Sequence, residues 1–339
     1  VAGWSINNEF GMLPLMTETI KMKRFVSAFL VFGMTAFAAI PAMSQTTKLR
    51  IGTNQNIDAA ALEVARVKGF LTAEGLDVEI TPVVGGAASL PTLAAGRIDI
   101  AASNLISIVL GVKNQLPFKI IAAGDAGRPQ APDIAGMITK TGSGLKTGKD
   151  LEGKNVATNT RNNIIWLFAR AWIEKTGGNP DKVNFVEVPF PQMIDALAQG
   201  RADAAFLVEP FLSSGLQTKS YEAIGWPYAE VMAGTPISQW VATSSYVDAN
   251  GPTLEKFARA LNRAADWIAQ NDTSPEWVSL VSAYTKMSPE AVKSSAIPVF
   301  SKKLDPAAIE QVTVLMGKHG LLSADDKIDV GKLLHSTVR

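Results

Sequence analysis

Cysteine is absent from the 339 residues, and histidine occurs only as His319 and His335. Without cysteine there is no disulfide framework, so a chain exported from the cell must draw its stability from an apolar core. Nor is a lipid anchor on a terminal cysteine expected. Both histidines fall in the C-terminal part. No Ser/His/Asp grouping, H-E-x-x-H or G-x-x-x-x-G-K-[ST] pattern occurs, so nucleophilic, zinc and P-loop chemistries lack their parts. An excess of one charge is missing too, with 32 basic residues against 31 acidic ones. Nucleic-acid binding, which leaves a basic footprint, gains no support.

What is present is apolar: 47% of the residues are hydrophobic, enough for one large domain or for two lobes with cores of their own. Near the N-terminus, Lys21–Arg24 (KMKR) precedes the apolar run Phe25–Ile40, and small residues follow at Ala42 and Ser44. That order predicts a secretory signal peptide over 21–44, cleaved after Ala42 or Ser44. The run is shorter than the roughly 17–25 residues of a membrane span and is diluted by Ser27, Gly33 and several alanines, which argues against an anchor. Residues 1–20 read as an over-extended start, with Met22 as the initiator. Removing 1–44 leaves 29 basic and 29 acidic residues, a neutral mature chain suited to capturing small molecules. An exported, unanchored protein is expected in a periplasm.

From Lys48 onward, short apolar runs alternate with amphipathic segments, the pattern of βαβ units and a largely parallel sheet. Strands are expected at KLRIGTN, LDVEITPV, RIDIAAS and PFKIIAAG, with helices between them. After the Gly/Pro-rich GDAGRPQAP, a crossing strand IAGMITK leads into a second set at GKNVATN, VNFVEVP and ADAAFLV. Beyond Gln239–Thr243 the pattern is helical, over Thr253–Gln270, Pro275–Thr285, Pro289–Ile297 and Pro306–His319, with Trp267 and Trp277 as core anchors. The division expected is 45–135 for the first part of lobe 1, 136–240 for lobe 2 and 241–339 for the rest of lobe 1. The C-terminal helices are then expected to pack on the first lobe.

One phrase occurs twice. LAAGRIDIAAS (Leu93–Ser103) returns as LAQGRADAAFL (Leu197–Leu207), and each copy reads as a helix end, a glycine able to turn left-handed, and a strand. Two such joints at domain-sized spacing predict two similarly built α/β lobes. In parallel sheets the strand C-termini face the crevice where ligands bind, and two crossings between lobes make a hinge around it.

The runs GFLTAEGLDVEITPVVGGAASLPTLAAGRIDIAASN and VEVPFPQMIDALAQGRADAAFLVEPF resemble the substrate-binding proteins of nitrate, sulfonate, taurine and thiamine-pyrimidine ABC importers, over nearly all of the mature chain. The resemblance implies a periplasmic-binding-protein type II fold, two α/β lobes around a hinged cleft. It also implies that Glu209-Pro210-Phe211 matches an EPF-like phrase in the second lobe.

Chain position then selects candidates. Asn54 and Gln55 follow the first strand and offer amides. Gly86 and Ala87, in GGAAS, open a helix whose N–H groups attract anions, although glycines also simply shape turns. Ser103 and Asn104 end the third strand and can cap the next helix. In NTRNN (Asn159–Asn163), Thr160, Arg161 and Asn162 stand at the start of the long second-lobe helix, where an arginine opposes the helix dipole unless an anion relieves it; the alternative is an arginine reaching to solvent. Glu209 can accept from a ligand amine or hydroxyl, or serve as a helix-start acid. Trp240 can wall the pocket or the core, and Arg128 can reach the cleft or the hinge.

The leading expectation is a monomeric solute-binding component of an ABC importer for a small organic anion, sulfonate-like, taurine-like or carboxylate, with an inner-membrane permease as partner. No cofactor, metal or chemistry is expected. A neutral thiamine-pyrimidine or aromatic ligand would make Glu209 and the aromatics central and Arg161 incidental. A sensory ligand-binding protein is the other reading. A pyrimidine-synthase-like enzyme resembles this fold, but it uses a cysteine-rich motif that is missing here.

Overall fold

The computed structural model describes residues 46–338, within one compact unit spanning Ser44–Arg339. The expected signal segment and the residues before it lie outside the described residues. The chain runs β1 (Thr47–Thr53), α1 (Ala60–Val67), α2 (Phe70–Ala73), β2 (Leu76–Pro82), α3 (Ser89–Ala94), β3 (Ile100–Asn104), α4 (Leu105–Lys113) and β4 (Phe118–Ala122), then leaves through the short β5 (Asp125–Ala126). A second set follows: β6 (Ala135–Lys140), β7 (Asn155–Thr158), α5 (Ile164–Lys175), β8 (Asn184–Glu187), α6 (Met193–Ala198), β9 (Ala204–Val208), α7 (Phe211–Gln217), β10 (Tyr221–Gly225) and α8 (Pro227–Val231). The chain returns by β11 (Ser238–Thr243) into α9 (Ser244–Asn271), α10 (Pro275–Thr285), α11 (Pro289–Ser294), β12 (Val299–Phe300), α12 (Pro306–Lys318) and α13 (Val330–Leu333).

Two five-stranded sheets result, ordered β2-β1-β3-β11-β4 and β10-β6-β9-β7-β8. In each, three strands from βαβ units are parallel, and a strand that has just crossed from the other lobe lies antiparallel beside them: β11 on β3, and β6 on β9. The central parallel strands β3 and β9 are buried along their whole length, whereas the outer strands β2 and β8 keep polar residues at exposed positions. Leu49, Ile51, Ile100, Phe257 and Trp277 pack in the first lobe. Phe168, Trp172 and Phe206 pack in the second, in a cluster that continues to Leu105 and to Ile309, Val312 and Met316 of α12.

The C-terminal helices are less confined than expected. α9 packs on α1 and β4 of the first lobe, but α12 touches α5 and α11 touches α7, so the tail also braces the second lobe. The reason is the spacing of Ile309, Val312 and Met316, which aligns one apolar stripe along α12. The long helix begins at Ser244 rather than Thr253. It breaks at Asn250, two residues ahead of Pro252, whose missing N–H cannot continue the ladder. Trp277 is buried as a core anchor, whereas Trp267 is only partly buried and carries Lys68 5.0 Å over its ring.

The repeated phrase has one structural job. Gly96 and Gly200 take φ values of 71° or less on the left-handed side (67° and 71°) and end α3 and α6. The aspartate three residues on then ties the joint to a strand of its own lobe, β1 or β7. Asp99 accepts from the Arg50 N–H at 2.8 Å, and Asp203 accepts from the Asn155 N–H at 2.8 Å. In return the Arg50 and Asn155 carbonyls accept from the Asp99 and Asp203 N–H groups, again at 2.8 Å. These joints lie at the starts of the strands, away from the crevice. Asp203→Ala leaves the Asn155 N–H without its partner and is expected to cost about 1–3 kcal/mol, read as a lowered urea midpoint with unchanged slope.

Candidate functional site

The strand ends and the turns after them meet in a cleft between the two sheets. From the first lobe come Asn54, Asn56 and Asp58 after β1, Gly86 before α3, and Asn104 at the end of β3. From the second come Asn159 and Asn163 after β7, and Phe190 after β8. Tyr228 and Ser238, from the returning connection, close the floor. The enclosed volume is about 40 Å³, room for a few water molecules, so the lobes stand nearly shut. At Gly86 the turn sits so close to β3 that an added Cβ would lie 2.9 Å from the Ser103 Cα.

Local hydrogen bonds leave a defined set of groups facing this space. Asn104 caps α4, its Oδ1 accepting from the Ser107 N–H at 3.0 Å. Asn163 caps α5 in the same way, accepting from the Trp166 N–H at 3.1 Å, and donates to Asn159 Oδ1 at 2.9 Å. Both helix starts are therefore satisfied by the chain itself. Asn56 Nδ2 donates to Asp58 Oδ2 at 2.6 Å, which leaves Asn56 Oδ1 and Asp58 Oδ1 sealed from solvent with no hydrogen-bond partner. Buried acceptors in that state call for a donor.

Burial sets the charge state here. It raises the Asp58 carboxyl to about 6, against the lowering hydrogen bond from Asn56 and with the Glu209 charge adding to the rise. Asp125, in the outgoing crossing, is fully buried and pushed well above the usual carboxyl range by desolvation and by Asp58. Asp133 is raised mainly by burial. The Tyr228 hydroxyl is raised by burial and by these three carboxyls together. No lysine or arginine lines the cleft cavity.

Of the residues selected from the sequence, the structure brings Asn54, Gly86 and Asn104 to the cleft wall. Gln55 is exposed beside it, and Ala87 and Thr160 are half-buried outside the lining. Ser103 is buried within β3, its hydroxyl without a partner. Arg161 does not reach the cleft: its side chain donates to the Phe185 carbonyl at 2.6 Å and its N–H to Glu187 at 2.8 Å. Asn162 is an exposed turn residue with φ 56°. Trp240 lies in the first-lobe core, edge-on to Phe257 with ring centroids 5.5 Å apart.

Glu209 is saturated by the protein. It accepts from the Ser213 N–H and hydroxyl at 3.0 and 2.7 Å, and from the Ser295 hydroxyl and Ala296 N–H at 3.3 and 3.2 Å. Two of these donors belong to the C-terminal segment, so Glu209 joins the second lobe to it. Arg128 lies at the hinge, donating to the Pro132 carbonyl at 3.1 Å. Sequence reasoning passed over Asn56, Asp58, Asn159, Asn163 and Tyr228. The alternation Asn54-x-Asn56-x-Asp58 after a strand was the available signal for the first two.

Among the described residues, no group of three or more His, Cys, Asp or Glu side chains is arranged to hold a metal ion, and no helix is long and apolar enough to cross a membrane. Residues 56–274 match the family described as NMT1/THI5 like. A Bacillus subtilis (strain 168) chain, YtlA, named provisionally as a binding protein, is 23% identical over 276 residues, covering 78% of this chain and 79% of its own. The formylaminopyrimidine-binding protein of Halalkalibacterium halodurans is 22% identical over 247 residues, 72% of each chain. Among solved structures, the alkanesulfonate-binding protein SsuA from Xanthomonas axonopodis pv. citri, bound to MOPS, superposes with a TM-score of 0.72 at 16% identity, covering 85% of this chain and 98% of its own. That likeness shows the fold, a periplasmic-binding-protein fold.

Asp58 supplies a test of the cleft electrostatics. Its carboxyl rises from an ordinary 3.8 to about 6 on folding, so the folded state holds the proton more tightly than the unfolded chain does. The resulting stability is complete below pH 4 and is lost as pH rises through 6. Asp58→Asn is expected to remove this loss, making the ligand-free protein more stable than the parent at pH 8 by about 1–3 kcal/mol and no more stable at pH 4, as measured by urea unfolding at both pH values.

Proposed function

The chain belongs to the NMT1/THI5-like family, and from that premise we propose that it is the extracytoplasmic ligand-capturing component of an ABC importer, closing its two lobes on a small nitrogen heterocycle of the aminopyrimidine kind. It binds and delivers without chemistry, and the closed form docks on a membrane permease. The observation that carries the ligand class is the cleft wall: amides and one carboxyl with unpaired acceptors, and no cationic side chain. An aminopyrimidine presents an N–H₂ donor beside a ring-nitrogen acceptor. The donor fits Asp58 Oδ1 and Asn56 Oδ1, and the acceptor fits the amide N–H₂ groups of Asn104 and Asn159. Phe190 offers a flat apolar contact.

The formylaminopyrimidine-binding relative supports this choice. The sulfonate-binding neighbour supports the fold and leaves the organic-anion alternative without a cation in the cleft to hold its charge. Arg161, which an anion site would need, is engaged with Phe185 and Glu187 on the outer side. Ligand free energy drives closure only through higher affinity for the closed state, so the nearly shut cleft must part at the crossings to admit a ring.

The test is a thermal-shift and calorimetric panel of formylaminopyrimidine, aminopyrimidines, alkanesulfonates and nitrate. A ligand at 100 times its Kd is expected to stabilise the fold by about 2.7 kcal/mol. Aminopyrimidine affinity should rise as pH increases through 6, where Asp58 becomes ionised and a better acceptor. Asp58→Ala should abolish the shift, and Arg161→Ala should leave it intact. A shift from sulfonates or nitrate alone, lost in Arg161→Ala and kept in Asp58→Ala, would overturn the assignment.

A further inference from the structure

A cavity larger than the cleft lies elsewhere in the molecule. It lies behind the first lobe, between the C-terminal half of α9, the start of α10, α11 and the strap Ser295–Phe300, and it encloses about 580 Å³, within the size range of small-molecule sites. Its walls are apolar, with Ile268, Val292 and Phe300 among them. The charged groups are few and mostly of one sign: Arg128 and Lys293 against a single acid, Asp272. Trp277 also lines it, 1% exposed, with an indole N–H that has no hydrogen-bond partner. A buried unpaired donor in a cavity wall is uncommon and calls for an acceptor.

We propose that this cavity is a second ligand site, for a small amphiphilic organic anion: a carboxylate or sulfonate carried on an aryl or short alkyl body. The two cations and the Trp277 N–H supply what the head group needs, and the body replaces water on the apolar wall. Arg128 is held for this by the hinge loop, through its bond to the Pro132 carbonyl. The site is distinct from the cleft in charge as well as place, since the cleft wall has one carboxyl and no cations.

The position gives an occupant a mechanical consequence. The strap that walls the cavity pairs through β12 with β5 of the outgoing crossing. The same strap gives Glu209 of the second lobe two of its four donors. An anion that stiffens the strap therefore acts on a segment in contact with both the hinge and the second lobe.

The experiment titrates the full-length protein with 8-anilinonaphthalene-1-sulfonate, following its emission, with near-UV circular dichroism as the check that each variant is folded. One saturable site per chain, displaced by octanoate, is expected. Val292→Trp, which fills the cavity, should abolish it. The pair Arg128→Ser and Lys293→Ser should weaken it about tenfold and flatten its salt dependence, and Asp58→Ala, in the cleft, should leave it unchanged. Failure of saturable binding, or binding lost in Asp58→Ala but retained in Val292→Trp, would overturn the site. Binding indifferent to the charge pair would overturn the anion. None of these outcomes depends on which ligand the cleft takes.

Discussion

Everything that makes this molecule a two-lobed binder hangs on two chain crossings that lie against each other with almost nothing between them. Gly127 and Ile237 exchange backbone hydrogen bonds with Thr235 and Asp125, each at 2.9 Å. At Gly124 an added Cβ would stand 2.1 Å from the Ser238 carbonyl oxygen, so the residue must be glycine for the strands to touch. Gln239 completes the staple, accepting from the Gly124 N–H at 3.0 Å and donating to the Asp125 carbonyl at 3.3 Å. The contact is backbone-rich and buried, which makes it strong along the strands. The lobes also meet beside the crossings, where α4 packs on α5 within an apolar cluster that runs from Leu105 to Phe168 and Trp172.

The same closeness creates the electrostatic character of the cleft. Asp125 sits on the crossing because its Oδ1 must satisfy the Ser238 N–H, at 3.0 Å, and Asp133 sits just beyond because it must satisfy the Arg128 and Ile134 N–H groups, at 2.8 and 2.7 Å. Each spends one oxygen on the backbone and keeps the other buried without a partner. With Asp58 they form a set of carboxyls in a poorly solvated place, and burial raises the pKa of each, making every one of them easier to protonate than an exposed aspartate. The hinge thus sets two buried carboxyls close enough to Asp58 and Tyr228 to act on both electrostatically.

Much of this architecture is legible in the residues alone. The two Gly-Arg-x-Asp phrases mark equivalent joints because a left-handed glycine and a strand-binding aspartate are local requirements, written within a few residues of each other. The strands of both βαβ sets read directly, as apolar runs at β3 and β9 and as alternating apolar and polar residues at β2. What escaped is long-range. β10 is a five-residue strand with a half-exposed pattern, indistinguishable from loop until β6 pairs with it. Arg161 looked like an anion hook because its place at a helix start is a local fact, whereas its engagement by the Phe185 carbonyl depends on a strand 24 residues away. Asp58 was invisible for the converse reason: an aspartate in a helical turn is ordinary, and only the lobe opposite makes it a buried acceptor.

Glu209, which matches the EPF-like phrase, has its oxygens filled by donors of the chain itself. A carboxylate 3% exposed is tolerable only while its oxygens are filled, and here the Ser213 pair comes from its own lobe while the Ser295 and Ala296 pair comes from the C-terminal strap. Parting the lobes at this point replaces the strap's two donors with water, at modest net cost in each bond. Keeping them shut with either donor missing would bury an unfilled charge. Glu209 therefore favours two arrangements, fully latched or fully hydrated, over any intermediate. A carboxylate in that position makes any parting of the lobes there a discrete event rather than a gradual one.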